Sequence, residues 1–460
     1  MMSAQGRPFL SIRGLRAAAA ANSVPVLVGT IAAMNVLRIA SNLVLTRLLA
    51  PEAFGVVGIL SSIQVVLQMA TDMGYHAFIV RAREAENPHF LNVVWTVRLI
   101  RAVILTIVML AGAGVLAAAF GKPEIQIPIA AASLLFLFEG LRSLHPFVAE
   151  RARRVSYITV IEFAVFLLQM TATIAACFLL RSFWGIIVGM YVGAAATTLF
   201  SYVFYRGGLH RLAFDRRIGA DLWAFARIVV VSSIITIILG QADKIFIGRT
   251  LSLDQFGLYM LAVNLTMAAQ GLIRPYVQRV LFPLFAETAR LAPEKLGEIY
   301  YKSRWRMTFG VAFLLGGGVG GGRLLVRILF DDRYLDAGLF VSLLCLTPLF
   351  LLATLPAEQL LVALGRIRTA LEANVVRLVW IALAAPLGLY LYGVVGLVAA
   401  FALIEFAASL YWWTRLRQAG YFDWREEALP IGAALIGATL GFTADRLADY
   451  LIATGAVPSF

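Results

Sequence analysis

The sequence predicts an all-α membrane protein of about twelve spanning helices, with a possible thirteenth, in two pseudo-twofold-related lobes of six helices each. Three observations carry this. Of the 460 residues, 61% are apolar and 14% charged, where soluble domains have about half and about a quarter. The apolar residues fall in runs of the roughly 20 residues needed to cross a bilayer. A motif in the first half returns at the corresponding place in the second.

The runs lie at 23–48, 55–80, 90–118, 124–148, 155–180 and 183–205, then at 224–248, 256–281, 307–330, 336–363, 369–392 and 394–413. Arg7, Arg13 and Arg16 precede the first. The alanine run 17–21 comes before the long apolar stretch, where a cleavage site would follow it, so the stretch reads as an uncleaved helix. A last apolar piece, 428–442, stops before Asp445, Arg446 and Asp449. It suits a thirteenth span or an interfacial helix. The expected organisation is a first lobe over 1–217, a second over 218–427, and a tail over 428–460.

The net charge of +13 arises from short basic clusters in alternate connections. That is the positive-inside pattern. It places the N-terminus and the 206–221 connection on the cytoplasmic side of an inner membrane, and makes anionic lipid heads the partner rather than nucleic acid. Cys177 and Cys345 lie in apolar runs, so no disulfide is expected. His76, His89, His145 and His210 lack metal-ligand spacing. No metal or cofactor is expected.

The repeat is specific. Arg47-Leu-Leu-Ala-Pro-Glu-Ala-Phe-Gly55 and Arg249-Thr-Leu-Ser-Leu-Asp-Gln-Phe-Gly257 both read R-x-L-[AS]-x-[ED]-x-F-G. Each puts an acid in the first turn of a second helix, where the dipole favours it. Pro146 pairs with Pro356, Glu162 with Glu372, and Gly185 with Gly396. Six helices per repeat give both halves the same entry direction. That arrangement suits a transporter with substrate between lobes that rock to alternate access.

Leu45–Arg81, with Thr46-Arg47, Phe54-Gly55 and Asp72-Met73-Gly74, resembles the start of bacterial polysaccharide-export flippases. So does Gly240-Gln-Ala-Asp-Lys-Ile-Phe-Ile-Gly-Arg249 running into Phe256-Gly-Leu-Tyr259. These are the Wzx-like polysaccharide transport proteins of the multidrug/oligosaccharidyl-lipid/polysaccharide exporter superfamily. The resemblance covers nearly the whole chain. It implies a flippase carrying a polyprenyl-diphosphate-linked oligosaccharide to the outer leaflet, with proton or sodium as coupling ion and with polymerase and export machinery as partners. The alternatives are a multidrug or cation antiporter of the same superfamily, and a membrane glycan polymerase or ligase. The intramembrane arginines weigh against an organic-cation site. Outer connections of a few residues, with no acid–base constellation, weigh against an enzyme.

A charge at mid-membrane costs about 2.5–3.5 kcal/mol on insertion scales, yet the spans keep many. Arg38, Arg274, Lys244, Arg101 and Arg142 are candidates for the diphosphate, because a guanidinium fork matches phosphate oxygens. Asp72, Asp243, Glu405 and Glu139 are candidates for coupling or ion pairing. Asp72 and Arg274 occupy equivalent repeat positions and read as ligand and partner, or as an inter-lobe pair. Glu139 and Arg142, spaced i, i+3, are expected to pair on one helix face. Asp243 and Lys244 are adjacent and are expected to need different partners. Arg98 and Arg101 are expected to snorkel to lipid heads. Glu162 and Glu372 are expected in first turns. Glu405 has no such excuse and reads as a proton or sodium site. The Gly316–Gly322 run lacks the ending of a phosphate loop and reads as a packing or bending site.

Overall fold

The computed structural model describes residues 24–152, 154–205 and 207–454. Arg7, Arg13, Arg16, Arg153 and Arg206 lie outside the described residues, and with them the placement of the N-terminus. Among the described residues there is no strand.

Ten helices are long and apolar enough to cross a membrane, and a bent pair makes an eleventh. The first lobe runs α1 Val24–Leu48, α2 Pro51–Ala70, α3 Pro88–Ala111, α4 Pro123–Leu141, α5 Val155–Leu180 and α6 Trp184–Val203. The second runs α7 Arg216–Thr250, α8 Leu253–Leu291, the bent α9 Leu296–Gly320 plus Gly322–Leu329, and α10 Ala337–Ala363. Then Arg368–Gln418 folds as two limbs, α11 (368–392) and α12 (394–418), about Gly393 at φ 60°. Last comes α13, Trp424–Ala453. With Arg368–Gln418 divided into its two limbs and the 35-residue α7 added on length alone, the described residues hold thirteen helices of spanning length. The tail is a full-length helix.

The chain divides into two compact units. One holds the chain up to Leu49 and Ile59–Ile237; the other holds Ala50–Gly58 and the chain from Ile238 on. In the first, Tyr75, Phe90, Val94, Trp95, Leu144 and Leu222 form a buried apolar core.

The repeat is visible in backbone contacts. Within the second unit, the starts of α2 and α8 touch through their glycines. A Cβ on Gly55 would meet the Leu253 carbonyl, and one on Gly257 would meet that of Pro51. Since Pro51 and Leu253 are themselves repeat equivalents, the contact is reciprocal. Glu52 and Asp254 stand in the two first turns, as expected. The α5–α6 hairpin turns at Arg181, φ 49°, and Gly185 lies against the Cys177 backbone. The α11–α12 hairpin turns at Gly393, and Gly396 lies against Gly388. Each close approach excludes any larger residue.

The glycine run of α9 packs on α13. A Cβ at Gly316 would strike the Ala434 carbonyl, one at Gly320 that of Ala438, and one at Gly437 that of Phe313. Small residues let two backbones meet where lipid supplies no hydrophobic drive. Buried Arg304–Glu427 holds one end of α13, and Arg327 Nη2 to Asp449 Oδ1 at 2.7 Å the other. These anchors are 22 residues apart on α13, about 33 Å of helix. The single span expected over 307–330 is instead a helix from Leu296 that bends by 88° at Gly321, because Gly321 closes one helix while Gly322 opens the next.

Candidate functional site

In the first unit two helices are interrupted, and polar side chains occupy the interruptions. α2 ends at Ala70, four residues short of Tyr75, where helix resumes. Asp72 therefore lies in a break, not inside a span. Its Oδ1 accepts the Gly74 N–H at 2.9 Å, and Gly74 sits at φ 66°. Arg101 does not snorkel outward. Its Nη2 donates to the Gln68 carbonyl at 2.6 Å and its Nε to Thr71 Oγ1 at 2.9 Å. Gln68 Nε2 in turn donates to Glu139 Oε2 at 2.6 Å. A carbonyl freed at membrane depth costs several kcal/mol unless satisfied, which accounts for Arg101 and Thr71 at this position.

α4 stops at Leu141, and Arg142 leaves with ψ 137°. The expected Glu139–Arg142 pair does not form, because the helix that would place them three residues apart has ended. α6 satisfies the break. Tyr202 Oη donates to the Leu141 carbonyl at 2.8 Å, Thr198 Oγ1 to that of Phe138 at 2.8 Å, and Ser201 Oγ accepts the Ser143 N–H at 2.9 Å. Arg142 then lines a cavity of about 280 Å³ with Glu162, Gln169, Thr197 and Tyr205. Its Nε is buried without a partner. Glu162 is not in a first turn; it lies well inside α5 and faces this cavity. Arg98 is buried over the Phe147 ring, 6.0 Å from its centroid, and its Nη1 has no partner.

The connection after α6 is tied to this lobe by His210. Its ring stacks on His145 at 4.9 Å and Trp95 at 5.6 Å. Nε2 accepts the Leu144 N–H at 3.1 Å, which leaves Nδ1 to donate to Asn92 Oδ1 at 3.2 Å. Burial pushes the imidazole down to about 4, with His145 and Arg98 adding to the effect. The histidines are thus not all scattered: these two meet, in a ring stack. Among the described residues no three His, Cys, Asp or Glu side chains group as a metal site.

In the second unit several intramembrane charges are paired. Glu405 is buried and accepts from Arg377 Nε at 3.1 Å, Arg377 Nη2 at 2.9 Å and Thr354 Oγ1 at 2.8 Å. This bidentate pair is a structural arrangement that periodicity could not place, since Arg377 lies on α11 and Glu405 on α12. Asp243 accepts from buried Tyr259 at 2.7 Å and lies 3.8 Å from its neighbour Lys244. Each of the two adjacent charges has its own hydrogen-bond partner: Lys244 Nζ donates to the Gly240 carbonyl at 2.9 Å and to Gln241 Oε1 at 3.3 Å, and the lysine stem folds back far enough to bring the two charges near each other as well. Glu372 lies beyond the first turn of its helix and binds Arg415 and Tyr411. Arg304, expected in a connection, is buried in α9 over Tyr300 and Tyr301.

Three candidates are left free. Arg38 on α1 and Arg274 on α8 are exposed. Among the described residues, neither their side chains nor that of Arg142 makes a hydrogen bond or an ion pair. Arg274 is within electrostatic reach of half-buried Glu358, as Arg142 is of Glu162. Glu358 and Arg377 are not among the candidates selected from the sequence. Their signal was the charge itself.

The fold matches solved membrane transporters. One is described as "Lipid II flippase MurJ, inward closed conformation", with TM-score 0.69 and 12% identity over 93% of this chain and 99% of that one. Another is the inward-facing conformation of a multidrug resistance MATE family transporter of the MOP superfamily, with TM-score 0.57 and 14% identity over 85% and 98%. Among curated proteins, the teichuronic acid biosynthesis protein TuaB of Bacillus subtilis (strain 168) is 21% identical over 304 residues. That alignment takes in 66% of this chain and 62% of the relative, so less than two thirds of TuaB is spanned. The lipopolysaccharide biosynthesis protein WzxC of Escherichia coli (strain K12) is 24% identical over 375 residues, 79% of this chain and 73% of that protein. The family described as "Polysaccharide biosynthesis protein" matches residues 44–338, more than half of the sequence. This multi-pass membrane chain belongs to that polysaccharide biosynthesis family, the Wzx-like group its motifs resemble.

Proposed function

We propose that the chain is a flippase of the bacterial inner membrane that carries a polyprenyl-diphosphate-linked oligosaccharide from the cytoplasmic to the outer leaflet by alternating access. The family and the fold support a transporter. The observation that carries the substrate is the sorting of intramembrane charges. Arg101, Arg304, Arg377 and Lys244 are engaged by partners, whereas among the described residues the side chains of Arg38, Arg142 and Arg274 make no hydrogen bond or ion pair. A membrane helix keeps an unpaired guanidinium at a cost of about 2.5–3.5 kcal/mol, and an anionic ligand offsets that cost when it binds. A diphosphate must shed water to cross, and planar forks replace that hydration bidentately. An organic cation would gain nothing from them, which disfavours the antiporter. Glu162, which lines the Arg142 cavity, and half-buried Glu358, carboxylates with no hydrogen bond among the described residues, are the groups for a coupling proton or sodium ion. The positive-inside pattern puts the N-terminus and the α6–α7 connection in the cytoplasm.

The test is flipping of a labelled polyprenyl-diphosphate sugar in proteoliposomes. Arg38→Ala, Arg142→Ala and Arg274→Ala should each abolish it while folded protein stays in the membrane. Lysine should restore it partly, being a point charge without the fork. Wild-type rates in all three alanine variants would refute the assignment.

A further inference from the structure

The second unit also holds a concavity of about 1070 Å³, larger than the roughly 300–1,000 Å³ of small-molecule pockets. It is walled by α8, by the start of α9 and by the α12–α13 connection. From these segments Tyr276, Tyr301, Trp305, Tyr421 and Phe422 converge on one space. An interfacial belt spreads its rings outward in a layer among lipid heads; these rings face a common hollow.

The walls are fixed before any ligand arrives. Tyr301 Oη donates to the Tyr421 carbonyl at 3.1 Å and accepts the Asp423 N–H at 2.9 Å. Tyr276 Oη donates to the Ser303 carbonyl at 3.0 Å. Trp305 stacks on Phe309 at 5.7 Å and 17°, yet remains 48% exposed. Gly420, at φ 80°, makes the turn that brings Tyr421 back toward Tyr301.

The charges at this concavity are of both signs. Glu298 and Lys302 approach each other at 4.0 Å on the rim. Glu426 and Arg306 line the hollow with no hydrogen bond or ion pair among the described residues. With Asp423, three acids stand against two bases, so the hollow does not attract a phosphate. A carboxylate accepts from two hydroxyls at once, and a guanidinium donates to hydroxyl and ether oxygens. An aromatic face takes an apolar C–H surface. A ligand with an apolar ring face and a hydroxylated edge meets all three requirements, and sugar rings have that form.

We infer that this aromatic hollow binds the glycan part of the substrate, separately from the arginines that take the diphosphate. The inference rests on the flippase reading, which puts the loaded glycan on the cytoplasmic side, the side the charge pattern gives to the α9 start and the α12–α13 connection.

The test uses purified protein in nanodiscs with two probes: lipid-linked oligosaccharide extracted from the native host's membranes, and bare polyprenyl diphosphate. The wild type should bind the glycosylated lipid about tenfold tighter, which corresponds to one aromatic stacking contact. Trp305→Ala and Glu426→Gln should each erase that preference without changing affinity for the bare lipid. Trp305→Phe should retain most of it, which separates ring stacking from misfolding. Equal wild-type affinity for both probes would overturn the inference and leave the diphosphate reading standing, as would an undiminished preference in both variants. Binding of neither probe would overturn the flippase reading itself.

Discussion

The second helix of each repeat begins alike and continues differently. α2 and α8 share the acid in the first turn and the glycine contact, but α2 breaks after Ala70 while α8 runs on to Leu291. The break is in the helix without an internal proline. α8 contains Pro275 and absorbs it in a π turn, Val277–Leu281. The fourth helices repeat the contrast: α4 ends at Leu141, whereas α10 passes through Pro356. What separates the halves is the supply of side chains that satisfy freed backbone groups. Arg101, Thr71 and Asp72 do so for α2, and Thr198, Ser201 and Tyr202 for α4. The first lobe therefore places polar groups at helix ends. The second places several of them in side-chain pairs between helices, Arg377–Glu405 and Arg304–Glu427 among them.

The largest effect is expected where the halves agree. With Cys177 and Cys345 replaced, cysteines at Glu52 and Asp254 should cross-link, because the helix starts they occupy are in contact. Cross-linking should stop flipping, and reduction should restore it. Undiminished flipping by the cross-linked protein would leave no role for separation of these starts.

Next comes the contrast in pairing. Glu405→Ala strands a buried guanidinium and should cost about 3–5 kcal/mol, seen as a large drop in melting temperature that Arg377→Met largely reverses. Arg142→Met should leave the melting temperature unchanged or raised, since no partner is lost. An equal drop for Arg142→Met would erase the distinction between paired and free charges.

Arg101→Met should cost about 1–3 kcal/mol by leaving the Gln68 carbonyl bare, and should expose a cysteine placed at Met73 to thiol reagents. A smaller effect belongs to His210. Its folded imidazole titrates at about 4, below its ordinary value, so the unfolded chain binds the proton first. Stability should be level above about pH 6.5 and fall as pH drops toward 4. His210→Gln should flatten that slope in melts taken across this range. Smallest is Pro275→Ala, expected below about 1 kcal/mol, because the π turn already accommodates the missing donor.

The sequence showed the helices and the repeat plainly, since both are written in run length and in spacing. Gly55 and Gly257 were found as a motif, and their reciprocal contact follows from it. The interruptions were hidden although 67–75 and 141–145 carry Gln68, Thr71, Asp72, Arg142, Ser143 and His145, because those residues read as charges inside continuous apolar runs and not as helix ends. Partners were hidden for a different reason. Arg377 and Glu405 are 28 residues apart on two limbs, and Arg304 and Glu427 are 123 apart, so only the packing of those limbs brings them together. Arg38 and Arg274 were chosen for their charge, while the structure distinguishes them by what they lack.

Two helices pass from one compact unit into the other without a loop: α2 between Gly58 and Ile59, and α7 between Ile237 and Ile238. The α6–α7 connection offers no slack, since Asn92 and Thr96 hold it through Arg211 and Ala213 up to the start of α7. Each crossing is continuous helix with Gly58 or Gly240 beside it, so a strain that reaches a crossing is borne by helical hydrogen bonds and not by a slack linker.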